Sequence, residues 1–102
     1  MYQIYFYVPV KSKEIVKTAM FKAGAGQLGN YEQCCFESPG VGQFQPKTGS
    51  NPFTGKIGVL EKVQEYKVEM IVDSKCLNSV ISALKLAHPY EEVAFGYFRI
   101  NQ

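Results

Sequence analysis

A single histidine in 102 residues, three cysteines without a Cys-x-x-Cys pair and a net charge of only +2 remove several function classes at once. A structural zinc site needs four cysteine or histidine ligands at recognisable spacing, and the chain lacks them. Three thiols leave one unpaired in any scheme, and adjacent Cys34 and Cys35 point to opposite faces of a strand. Reduced, partly buried thiols are therefore expected rather than a disulfide framework. The 11 basic and 9 acidic residues are interspersed, which leaves no electrostatic footprint for nucleic acid or an anionic membrane. No apolar run approaches the roughly 18 residues of a membrane span, and the opening Met1-Tyr2-Gln3-Ile4 carries no basic leader. A cytoplasmic protein is expected. Low-complexity tracts and internal repeats are absent as well.

What is present suits one domain covering 1–102, because 46% hydrophobic and 14% aromatic residues suffice for a core. Ile4, Phe6 and Val8 alternate with Gln3, Tyr5 and Tyr7, a period of two that predicts a strand closed by Pro9. Ser12 is the expected N-cap of a helix, with Glu14 in its first turn. Ile15, Val16, Ala19, Met20 and Ala23 recur at helical spacing until Gly24 and Gly26 stop it. A second strand is expected over 31–37 and a third over 63–72, where Tyr66, Val68, Met70 and Val72 alternate with charged residues. Asp73 or Ser74 caps a second helix with a Leu77, Val80, Ile81 and Leu84 stripe, stopped at His88-Pro89. The last strand is expected over 93–100.

Two strand-helix-strand units with right-handed crossovers predict an α+β, ferredoxin-like βαββαβ fold, an antiparallel sheet with both helices on one face. Tyr5, Tyr7 and alternate residues of the last strand then place aromatic area on the other face too. Self-association would cover it; so would the segment 38–60, folded back. That segment is long and turn-rich. Eight of nine glycines lie between Gly24 and Gly58, with Pro39, Pro46 and Pro52 among them. Phe44 and Phe53 are its expected anchors. Gly40-Val41-Gly42-Gln43-Phe44 is no phosphate loop, since the later Gly-Lys-Ser/Thr is missing.

His88-Pro89-Tyr90-Glu91-Glu92 is the densest cluster of functional side chains. Two readings stand side by side: the imidazole caps the preceding helix, or it joins a ligand or metal site. Adjacent Glu91 and Glu92 face opposite sides of an extended segment, so His88 with one of them holds a divalent ion weakly. A tighter site needs a further ligand, such as Glu32, Cys34 or a residue of another subunit. No nucleophile or oxyanion donor stands beside these groups, which disfavours an enzyme. Tyr90 reads as an interface or core aromatic.

The runs Gly29-Asn30-Tyr31-Glu32-Gln33-Cys34-Cys35-Phe36, Gly40 to Pro46 and Gly49-Ser50-Asn51-Pro52, with Glu61, Glu65 and His88 to Glu92, resemble the insertion domain of the NGG-interacting-factor-three-like proteins. The resemblance spans nearly the whole chain, and His-Pro-Tyr is shared with CutA-type domains. It implies a CutA-like and PII-like unit that forms trimers through sheet edges and loops. It also implies clefts between subunits for a small ligand or a protein partner. On that basis His88, Tyr90, Glu91, Glu92, Tyr31, Cys34, Phe44 and Asn51 are the candidate ligand-binding or interface residues. His88, Glu91 and Glu92 are the candidate metal set. In full-length members the flanking halves supply a dinuclear metal centre. Its histidines are missing from this sequence, so hydrolase activity is not expected to transfer. Val93 stands where a proline usually follows the paired glutamates. The resulting expectation is a non-enzymatic, homo-oligomeric binding or regulatory module, with a divalent-metal binder and a small metal-dependent hydrolase as alternatives.

Overall fold

The alternation in the first strand sets the architecture. In the computed structural model, which describes residues 1–101, β1 spans Tyr2–Pro9 and its Ile4, Phe6 and Val8 are fully buried. Each such side chain contributes roughly 1.5–3 kcal/mol by leaving water. β1 pairs antiparallel with β3 (Glu61–Val72), Phe6 opposite Val68, and with β4 (Phe95–Arg99), Phe6 opposite Phe95. Residues opposite one another share a face, so Ile4, Phe6, Val8, Val68 and Met70 form one apolar layer. The helices α1 (Lys13–Lys22) and α2 (Leu77–Ala87) cover it with buried Val16, Met20, Leu77, Val80 and Leu84. With β2 at Phe36–Phe44, the sheet order β2-β3-β1-β4 is that of the expected ferredoxin-like fold.

The second strand departs from expectation. β2 spans Phe36–Phe44 rather than 31–37, so the glycine-rich Gly40 to Phe44 run lies inside the sheet and the excursion shortens to 45–60. Two physical features explain the shift. Residues 24–35 are consumed by turns: Gly26 has φ +78°, and its N–H donates to Ile71 while its carbonyl accepts from Cys34. A Cβ at Gly26 would collide with the Cys34 backbone, so only glycine lets the chain pass this close. Cys34 and Cys35 consequently precede the strand instead of alternating within it. β2 is also an edge strand, paired to β3 alone, where Pro39 and the glycines are tolerated.

Smaller corrections follow the same pattern. Ser12 does stand at the N-cap of α1, but it also closes a single 3-10 turn, Val10–Ser12, and its side chain makes no capping hydrogen bond. Asp73 does cap: its carboxylate accepts from the Lys75 N–H at 3.1 Å, ahead of a second 3-10 turn, Ser74–Cys76. Ile15 is 67% exposed, because Val16 and Met20 suffice to fill the α1 contact. β4 is shorter than expected, although Tyr7 N–H reaches the Ala94 carbonyl and Ile100 N–H that of Met1. The sheet's two ends differ. Residues 61–64 of β3 pair only with β2, so the β2–β3 ladder overhangs β1, and that overhang positions the site.

Candidate functional site

Pro89 forces His88 out of the helix: its backbone is extended (φ −73°, ψ 137°) while its N–H still closes α2 on the Leu84 carbonyl at 2.9 Å. The ring does not cap the helix carbonyls. Its Nε2–H donates to the Tyr7 carbonyl of β1 at 2.7 Å, and its Nδ1 accepts the Tyr90 N–H at 3.1 Å. His88 is buried, and burial holds its pKa below the usual 6.5 against the pull of the Tyr7 carbonyl and the Glu65 charge. The bond pattern agrees, since a proton on Nδ1 would face the Tyr90 N–H. A neutral imidazole thus acts as a two-ended clip between β1 and the segment that carries Tyr90.

Tyr90 projects across to β3. Its hydroxyl donates to Glu65 Oε2 at 3.0 Å, and its ring packs against His88, Phe44 and Phe53 at centroid distances of 5.0, 5.9 and 6.3 Å. These separations suit aromatic pairs. Burial, then the hydrogen bond and charge of Glu65, push the phenol's pKa well above its usual value. Glu65 fits because Gly42, on the neighbouring strand, has no side chain; a Cβ there would meet the carboxylate. The excursion 45–60 closes the wall. The backbone N–H of Asn51 donates to Glu91 Oε2 at 3.0 Å, tying loop to junction. Together these elements line a cleft of about 380 Å³ walled by Phe44, Pro46, Phe53 and Tyr90, with Glu65, Glu91 and Glu92 in its lining.

The structure brings together six expected residues: His88, Tyr90, Glu91, Glu92, Phe44 and Asn51. Tyr31 and Cys34 lie elsewhere. Tyr31 is 74% exposed in a small bridge with Leu28, and the Cys34 thiol turns back to the Glu32 carbonyl. The expected metal set is not assembled, because both ring nitrogens of His88 are taken by backbone groups and Glu91 is bonded to the loop. Among the described residues no three His, Cys, Asp or Glu side chains converge as ligands. The residue the sequence reading passed over as a site candidate is Glu65. Its signal was period two: it shares a sheet face with Tyr5 and Tyr7, opposite in register to Gly40 and beside Gly42.

No family model matches the chain. Over 98 residues, 96% of the chain, it is 44% identical to the protein called GTP cyclohydrolase 1 type 2 homolog in Halalkalibacterium halodurans, of which it covers 26%. The crystal structure of a Bacillus cereus protein related to NIF3 superposes at TM-score 0.84 with 39% identity, taking in 99% of this chain and 26% of that one. The chain is a homologue of one segment of the NIF3-related proteins. It spans about a quarter of the length of the curated relatives it matches, so their activity does not come with the match. The periplasmic divalent cation tolerance protein CutA of Archaeoglobus fulgidus shares the fold at TM-score 0.69 over 100% of this chain and 86% of its own. At 17% identity that likeness concerns architecture alone.

Proposed function

We propose that this NIF3-related domain is a non-enzymatic, homo-oligomeric binding or regulatory module, working in the cytoplasm as a trimer. The observation that carries the reading is the Tyr90 cleft, in which the polar groups serve to hold geometry. His88 spends both nitrogens on backbone, Tyr90 spends its hydroxyl on Glu65, and Glu91 anchors the loop. Such a site selects and orders a ligand; it does not activate a nucleophile.

Assembly is supported by the sheet face opposite the helices. Phe36 and Phe98, on the two edge strands of that face, are 68% and 48% exposed, and Tyr7 on the same face 37%. The excursion packs near Tyr90 at one end, so it leaves Phe98 uncovered. The edges β2 and β4 are unlike, which suits a ring of head-to-tail contacts. Sedimentation at micromolar concentration is expected to give a species of three chains, and a monomer would overturn the reading. A divalent ion on His88 would first have to break one of its two backbone bonds, and no observation favours it.

A further inference from the structure

The cleft's charge is unbalanced in a way its hydrogen bonds do not explain. Three carboxylates, Glu65, Glu91 and Glu92, share it with one ammonium, that of exposed Lys47. The ion pairs among the described residues all join Lys13 or Lys17 to Glu14 or Glu37, far along the sheet from the overhang. None reaches the cleft. Glu65 is the innermost of the three and is half-buried, with Oε2 fixed by the Tyr90 hydroxyl. A carboxylate has about four acceptor sites, so this oxygen and its partner retain room for a strong donor. The rings of Phe44, Phe53 and Tyr90 line the same cleft, and their negative faces favour a cation within about 6 Å.

Building on the binding-module reading, we infer that the cleft takes a small organic cation: a flat apolar body bearing an amine, amidinium or guanidinium. The ring faces receive the body, and Glu65 receives the charged head. The volume, about 380 Å³, lies at the low end of the range for small-molecule sites, which fits a free ligand better than a peptide. An anionic ligand would meet Glu65 in the cleft, since Lys47 sits on the exposed loop and Lys67, farther along the same sheet face, leans over the Tyr5 ring instead.

The test compares three probes of one shape on the full chain by amide NMR: benzamidine, neutral benzamide and anionic benzoate. Benzamidine is expected to shift the Tyr90, Phe44 and Phe53 amides and to bind roughly tenfold or more tightly than benzamide, as a hydrogen bond to a charged partner should. Benzoate is expected to leave those amides unmoved. Glu65→Gln keeps an acceptor for Tyr90 but removes the charge, and should abolish the preference for benzamidine. Equal or tighter binding of benzamide or benzoate would overturn the cation assignment while leaving a binding cleft in place. No cleft shift with any probe, or a preference that survives Glu65→Gln, would overturn it as well. A subunit count run on the same samples tells a failure of the module reading apart from a failure of the ligand class.

Discussion

Replacing His88 with alanine removes the partner of two backbone groups at once. The Tyr7 carbonyl loses a donor at 2.7 Å and the Tyr90 N–H an acceptor at 3.1 Å, in a place where the ring is 6% exposed. An orphaned buried polar group costs about 1–3 kcal/mol. Tyr7 and Tyr90 both line the cleft, whose water can replace part of each bond, so the losses fall toward the low end of that range. The two together give about 2–4 kcal/mol. For a chain of this length, each kcal/mol moves Tm by about 4–8 °C, so the melting point should drop by roughly 8–32 °C. Urea unfolding followed by circular dichroism reads the change directly, at one fixed protomer concentration because the proposed assembly would contribute to stability. His88→Gln, which offers a donor and an acceptor of its own, should recover part of the loss. Chelator should leave the wild-type midpoint where it is, since the ring's partners are backbone atoms. A His88→Ala variant within about 0.5 kcal/mol of wild type would refute the clip.

The same ring gives stability a pH dependence. Its folded pKa lies below 6.5, so as pH falls under that value the unfolded chain takes up a proton that the folded chain refuses. Stability from His88 is therefore full above about pH 7 and declines below about 6.5, by at most about 1.4 kcal/mol per pH unit, until the folded pKa is reached. Urea midpoints from about pH 7.5 down to about pH 5 should show this slope in wild type and lose it in His88→Gln; a flat wild-type profile contradicts it. Gly42→Ala should cost little stability, because its Cβ displaces the flexible end of Glu65 and not backbone. It should nonetheless free the Tyr90 hydroxyl, and a carbon-13 titration of Tyr90 should show its pKa moving part of the way back toward 10. An unchanged titration would mean Gly42 is not what lets Glu65 reach the phenol.

Much of the fold was legible because it rests on local periodicity. Alternation in Ile4, Phe6 and Val8, and in Val68, Met70 and Val72, marks buried positions from the sequence alone, and the observed register puts them on one face. The second strand was not legible for the opposite reason. A strand written Pro39-Gly40-Val41-Gly42 has no alternation to read, and it exists through pairing with β3, a non-local term. The boundary error then propagated. With Gly42 assigned to a loop, nothing indicated that Glu65 had space to swing toward Tyr90. The site was legible as a neighbourhood, His88 to Glu92, and not as a geometry. Sequence adjacency suggested His88 beside Glu91 or Glu92. The turn at Pro89 instead sends His88 inward to Tyr7, Tyr90 across to Glu65, and Glu91 outward to Asn51. Ile15 erred more simply, since helical spacing alone does not tell which side of a wide apolar stripe meets the sheet.

The measurement that bears most directly on the binding-module account is a native mass spectrum of protein purified without chelator at micromolar concentration. The account predicts a species of three times the chain mass with no retained divalent metal. A monomer would contradict it, because the exposed Phe36 and Phe98 face would then need no partner. A stoichiometric metal lost on replacing His88 would contradict it too, because that ring would then be a ligand and not a clip between backbone groups.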